Sequence, residues 1–500
     1  MILNKRLNGV LMHISSLPGK TGIGTLGVSA YNFVDFLKES KQAYWQILPV
    51  GPTSFGDSPY QSFSTFAGNP YFIDLDMLCD EGFLDKSDYE KINWGKDSNF
   101  VDYGLVYEQR QKVFECLFNN FKKKVPSDFE FFCSENYFWL EDYAFFMALK
   151  DEHNGIPFYQ WEKDLVSREE KSLAEWKKKC SDKITCHKML QYFFYKQWFA
   201  LKNYANVRGI KIIGDIPFYV SGDSSDVWSN PEQFDLDENF VPIEVAGCPP
   251  DAFSADGQLW GNPVYKWDYM KKTDYAWWKK RLQKSLEIYD VLRIDHFRGF
   301  DSYYCIPYGA KDARNGHWRN GPGMDLFNSI KKEFGDELPI IAEDLGFLTD
   351  SVKKLLADST FPGMKILQFA FDSREESDYL PYRYTQNCVV YTGTHDNDTI
   401  LGWCETARTE DVEQAKKYLR VSDKDSLRKE MMICAMASPA NTCILCMQDL
   451  IGLGKEARMN IPSTVGTNWK WRMPKDAMDQ VLINKIASIV SKANRLGNQQ

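Results

Sequence analysis

The segment Val291-Leu-Arg-Ile-Asp-His-Phe-Arg298 opens as a buried strand and closes on charge. Val291, Leu292 and Ile294 are apolar types that fit a pleated, covered surface, and the run stops at Asp295, His296 and Arg298. Side chains alternate along a strand, so Arg293 and Asp295 share a face. Seven further stretches have the same form, a short apolar run ending in polar or Gly residues: 9–16, 43–50, 210–218, 339–346, 364–371, 388–395 and 443–450. Most lead into a stretch of helical period, notably 29–40, 189–207, 275–289 and two segments within 410–438. This α/β alternation predicts a parallel sheet, and eight strands are the number that closes a (β/α)8 TIM barrel. A large open sheet holds eight strands as well. The sixth gap, 372–387, departs from the ideal pattern because it contains no convincing helix.

Two gaps are much longer than a barrel connection needs. Residues 51–185, between the second and third strands, hold charged helical stretches such as 102–123 and read as a mainly helical insertion. Residues 219–274, between the third and fourth strands, are rich in Pro, Gly, Asp and Trp and read as a loop-rich insertion over the barrel mouth. The last helical pattern, 477–493, leaves no room for a C-terminal β domain. The expected organisation is one catalytic barrel over 1–500 carrying these inserted subdomains.

With 500 residues and 44% apolar content the chain can bury a large core. A net charge of -9 and the lack of any run of five or more Lys or Arg argue against nucleic acid as a partner. No stretch approaches the roughly 20 apolar residues that span a bilayer, and the start of the chain lacks a signal-peptide core. A cytoplasmic protein with no membrane partner is expected. Twelve cysteines are no disulfide scaffold. Cys443-Ile-Leu-Cys446 matches C-x-x-C, yet on a strand its thiols point to opposite faces and no second pair completes a zinc site. Six histidines with no H-x-H or H-E-x-x-H pair weigh against a metal-dependent barrel enzyme.

Acids recur at the predicted strand ends: Asp215 at the third, Asp295 at the fourth, Glu343 and Asp344 at the fifth, Asp396 at the seventh. In this fold the loops after the strands build the site. Capping of the following helix is the competing role for each acid. It fits Glu343 poorly, because Glu is a weak N-cap, and Asp295 poorly, because the bulky run His296-Phe-Arg298 follows. Arg293 beside Asp295 favours the ionised carboxylate that a nucleophile needs, although a structural ion pair would look the same. Glu343 is flanked by Ile340, Ile341, Ala342 and Leu345. Apolar surroundings and neighbouring carboxylates raise a carboxyl pKa, which suits a group that donates a proton and then takes one back. Two carboxylates in opposed states are the equipment for cleaving a glycosidic bond. His296 and His395 each adjoin one of these acids; strand parity turns them away, while the bend at a strand end can bring them back. His13 reads as structural. Sugar faces need aromatic platforms and amides, and the predicted mouth loops offer Tyr60, Gln258, Trp260 and Asn468.

Arg293-Ile-Asp-His-Phe-Arg-Gly299, Ala342-Glu-Asp-Leu-Gly346 and Gly393-Thr-His-Asp-Asn397 resemble the signature blocks of the amylomaltases, the 4-α-glucanotransferases or disproportionating enzymes of glycoside hydrolase family 77 in the α-amylase clan. His13-Ile-Ser-Ser-Leu-Pro18, Asp57-Ser-Pro-Tyr-Gln61, Gly214-Asp-Ile-Pro217, Pro249-Pro-Asp-Ala-Phe-Ser254, Gly257-Gln-Leu-Trp-Gly-Asn-Pro263 and Asn460-Ile-Pro-Ser-Thr464 extend the match over nearly the whole chain. The resemblance implies a retaining mechanism with Asp295 as nucleophile, Glu343 as acid/base and Asp396 as the stabilising carboxylate. It implies sugar contacts at Tyr60, Asp215, Gln258, Trp260, Arg293, His296, His395 and Asn468. It implies no metal and no organic cofactor. Donors would be malto-oligosaccharides or α-1,4-glucans derived from starch or glycogen, glucose would serve as acceptor, and the chain would be a monomer or homodimer. The His that amylases place shortly after the residue matching Asp215 is missing, which favours the amylomaltase branch. An α-glucan hydrolase with the same three acids is the alternative, since the carboxylates do not name what receives the sugar.

Overall fold

The computed structural model describes residues 2–54, 56–250, 255–346 and 348–496. Its barrel strands are Leu7–Leu11, Tyr44–Gln46, Lys211–Ile216, Val291–Ile294, Ile340–Ala342, Gly363–Ile366, Cys388–Tyr391 and Thr442–Cys446. They pair in parallel in the order six, seven, eight, one, two, three, four, five. All eight start within two residues of the apolar runs, and all eight end sooner than those runs do. The chain turns inside the second half of several runs, as in the 3-10 turns Phe297–Phe300 and Leu367–Phe371, yet Phe297, Leu367 and Met447 stay buried at the mouth. Hydrophobicity therefore continues past the end of the ladder and cannot mark it.

The barrel closes between its fifth and sixth strands through a seam, not a full ladder. Ala342 N–H donates to the Pro362 carbonyl at 2.9 Å, and Met364 N–H donates to Asp344 Oδ1 at 2.6 Å. Gly363 makes room for this: a Cβ there would lie 2.6 Å from the Asp344 carboxylate. Asp344, one of the acids at a predicted strand end, is thus a buried acceptor for a strand N–H. Burial pushes its carboxyl up from the ordinary value, and the Met364 N–H opposes that.

Between the second and third strands the chain forms the helices Tyr103–Phe121, Phe129–Glu135 and Tyr137–Glu152, then returns along Ser181–Val207. These helices reach the barrel mouth with specific side chains. Tyr107 OH donates to Asp57 Oδ1 at 2.6 Å, in the loop that carries Tyr60. Tyr103 OH donates to the Trp469 carbonyl at 2.8 Å. Lys150, buried, pairs with Asp223 in the loop after the third strand.

Residues 219–274 hold more than loop. Glu244–Cys248 and Gln258–Pro263 join Ser302–Pro307 and His317–Asn320 in a four-stranded antiparallel sheet over the mouth. Its partners lie on either side of the fourth barrel strand, so the pairing is non-local. The strand Gln258-Leu-Trp-Gly-Asn-Pro263 also carries the Gly and Pro that usually signal turns. Residues 251–254 of the Pro249 to Ser254 motif lie outside the described residues. In the sixth gap, 372–387, the regular element is the short 3-10 turn Pro381–Arg383. Among the described residues no helix is long and apolar enough to cross a membrane.

Asp344→Ala removes the acceptor that Met364 N–H uses at the seam. A buried donor left unpaired costs about 1–3 kcal/mol, so urea unfolding should show a stability loss of that size. Unchanged stability would mean that the seam does not depend on this carboxylate.

Candidate active site

Arg293 rises from the fourth strand into the barrel and is almost fully enclosed. Its Nη1 donates to Asp215 Oδ2 at 2.6 Å, and its Nη2 lies 2.9 Å from Asp295 Oδ1. Two-residue periodicity brings Arg293 and Asp295 to one face, and the pairing of Asp215 with Arg293 across adjacent strands supplies the third charge. The Asp215 side chain is fully enclosed, whereas 31% of the Asp295 side chain stays open to the cleft. Burial works against the Arg293 charge, yet Asp215 and Asp295 together carry its pKa well above the ordinary value. Burial likewise pushes Asp215 up, with Arg293 and the Tyr60 hydroxyl opposing. Tyr60 OH donates to Asp215 Oδ2 at 2.9 Å.

Glu343 follows directly on the short fifth strand. Its Oε2 accepts from His296 N–H at 2.7 Å and its Oε1 from Leu345 N–H at 2.9 Å, which fixes the carboxyl in place. Burial raises its pKa to about 7, the Asp295 charge adds to the rise, and Arg293 and the two N–H donors oppose it. The two central carboxylates therefore differ: one is ion-paired and open to the cleft, the other is held by backbone N–H groups and inclined by burial to hold a proton.

His296 reaches the cleft because the backbone turns left-handed there, at φ 52°. That conformation is unusual for a residue with a side chain and breaks the strand parity that would have turned it away. Its ring meets Trp260 edge-on at 4.9 Å, and burial lowers its pKa to about 3, with Arg298 adding to the effect. Trp260 Nε1 donates to Gln258 Oε1 at 3.0 Å, so these two mouth residues position each other.

Asp396 lies across the cleft, 44% open at its side chain. His395 Nε2 lies 3.3 Å from Asp396 Oδ2, and Tyr60 stacks on the His395 ring at 5.1 Å and 18°. Burial lowers the His395 pKa, and the charge of Asp396 opposes this. His13, expected to be structural, accepts from Leu48 N–H at 3.3 Å and is held neutral chiefly by burial. Asn460 was not singled out by sequence, yet its Nδ2 donates to Asp396 Oδ1 at 2.6 Å, and Arg458 Nη2 donates to the Asp396 carbonyl at 2.7 Å. The Asn460 contact spans 64 residues, and only its place in a recognisable motif block could have pointed to it.

Asn468 stands apart from the other expected sugar contacts. Its Oδ1 accepts from Ile461 N–H at 3.0 Å, and its Nδ2 donates to the Thr464 carbonyl at 2.9 Å and to the Thr464 hydroxyl at 3.0 Å. It braces the loop before Trp469, whose ring faces Tyr60 and His395 at 6.0 and 5.8 Å. Cys443 and Cys446 are free buried thiols. Among the described residues no three His, Cys, Asp or Glu side chains are grouped to hold a metal ion.

Comparison with known proteins accords with this geometry. A family model described as 4-alpha-glucanotransferase matches residues 12–478. The 4-alpha-glucanotransferase of Clostridium butyricum is 50% identical over 487 residues, 97% of this chain and 99% of that protein. The Thermus thermophilus 4-alpha-glucanotransferase is 45% identical, over 94% of this chain and 95% of its own length. The amylomaltase from Streptococcus agalactiae, solved in complex with acarbose, superposes with a TM-score of 0.96 at 47% identity, covering 98% of this chain and all of that one. These relatives carry the transferase name, and the hydrolase alternative finds no support among them. The chain is a (β/α)8 enzyme with 4-α-glucanotransferase activity and belongs to the amylomaltases of glycoside hydrolase family 77.

Proposed function

We propose that Asp295 is the nucleophile, Glu343 the acid/base and Asp396 the stabilising carboxylate of a retaining, two-step transfer between α-1,4-glucans. The opposed environments of Asp295 and Glu343 carry this reading: Arg293 pairs with the first, and burial raises the second to about 7. In the first step an Asp295 oxygen bonds to the anomeric carbon as the bond to the leaving O4 breaks, and the Glu343 proton passes to that oxygen. In the second step Glu343 takes the proton of an incoming 4-hydroxyl. The new oxygen bonds to the anomeric carbon, Asp295 departs, and the configuration is retained.

Tyr60 packs on the buried His395 and Trp469 rings on one side of the cleft, and Trp260 meets His296 on another. Tyr60 and Trp260 keep part of their surface open and suit the flat C–H faces of glucose units. His296 Nε2, buried and without a partner among the described residues, is suited to a sugar hydroxyl. Asp215 and Arg293 would act from beneath the reacting glucose, and Asn468 through the loop it braces. Malto-oligosaccharides are the donors in this reading, and glucose or a glucan chain is the acceptor; the acarbose complex of the Streptococcus agalactiae amylomaltase supports a ligand of that class.

Incubation with maltotriose should release glucose together with a ladder of longer oligosaccharides. Products shorter than the donor alone would count against transfer. Asp295→Asn should abolish this turnover while calorimetry still detects oligosaccharide binding, and retained turnover would refute the nucleophile assignment. The first step needs the Glu343 proton, so kcat/KM should fall as pH rises through about 7, where that proton is lost. A profile that stays flat through that region contradicts the acid/base role.

A further inference from the structure

The third face of the Arg293 fork points away from both carboxylates. Its Nε–H donates to the thioether sulfur of Met364 at 3.4 Å. Both residues are closed off from solvent, at 3% and 1% exposure. Met364 lies on the sixth strand, at whose end no candidate acid stands, and its N–H is the one that Asp344 accepts across the seam. One residue thus joins the Arg293 guanidinium to the strand end that carries Glu343.

The acceptor type matters at this position. A carboxylate here would compete with Asp295 for the positive charge, and an aliphatic carbon would leave the Nε–H unpaired in a dry interior. A thioether is a weak, uncharged acceptor on a compact apolar side chain. It satisfies the Nε–H and leaves the charge of the guanidinium to Asp215 and Asp295. We propose that Met364 is a positioning residue for the transfer reaction: its sulfur fixes the rotation of the Arg293 fork so that Nη2 faces Asp295. The inference rests on the reading of Asp295 as the nucleophile.

The test compares Met364→Leu, which keeps the bulk without the acceptor, with Met364→Gln, which places an oxygen at similar reach. Disproportionation of maltotriose is measured beside thermal unfolding. The Leu variant should lose about tenfold in kcat, the size of effect expected when the guanidinium no longer faces the nucleophile squarely, with KM changed by less than about twofold. The Gln variant should recover most of that loss. Wild-type kcat in the Leu variant would overturn the proposal. Equal losses in both variants that track their unfolding temperatures would also overturn it, because the sulfur would then only fill space. An Asp295→Asn enzyme that turns over would remove the nucleophile reading and this inference with it; an inactive Asp295→Asn beside a fully active Met364→Leu removes this inference alone.

Discussion

Arg293 holds one buried positive charge between two carboxylates, Asp215 at 2.6 Å and Asp295 at 2.9 Å. A lone guanidinium in this interior would be strongly unfavourable, and so would the enclosed Asp215 carboxylate without it. The buried charges of Arg293 and Asp215 therefore depend on each other. The asymmetry of the site follows from where each partner sits. Asp215 is enclosed and fixed by Tyr60, while Asp295 keeps one side open to the cleft. Glu343, on the next strand, lies near enough to feel both Arg293 and Asp295 but is tied to backbone N–H groups, so burial sets its behaviour.

The rest of the chain keeps this arrangement in register. The barrel supplies the strand ends, and the Asp344 carboxylate closes it where the ladder is incomplete. The helices between the second and third strands pin the Tyr60 loop through Tyr107 and the Trp469 backbone through Tyr103. The small antiparallel sheet carries Trp260 and Gln258 to the opposite wall. Asn460 holds Asp396 from a loop far along the chain. Each side of the cleft thus has its own attachment to the scaffold, and Tyr60 and His296 also tie it to the carboxylates below.

Much of this was legible in the sequence, for identifiable reasons. Short apolar runs revealed the barrel strands because parallel strands are covered on both faces. The shared face of Arg293 and Asp295 followed from the period of a strand, and the apolar flank of Glu343 foretold its raised pKa. What escaped was non-local or backbone-driven. The mouth sheet pairs segments from either side of the fourth barrel strand. The reach of His296 depends on a left-handed residue that no hydrophobic pattern encodes. The family resemblance implied a sugar contact at Asn468, yet its amide is engaged by its own loop, and the bracing role appears only once those partners are seen. Met364 looks like any core methionine until the direction of the Arg293 Nε–H is known.

The central claim, that Arg293 holds Asp295 ready to form a covalent bond with the sugar, can be tested by capturing that bond. Glu343→Ala would lack the proposed base for the second step, and a maltotriosyl donor with a fluoride leaving group needs no acid for the first. Mass spectrometry of the digested Glu343→Ala protein should find a maltotriosyl adduct on the peptide containing Asp295, bonded to its carboxylate. An adduct on Asp396 or Asp215 instead would contradict the account.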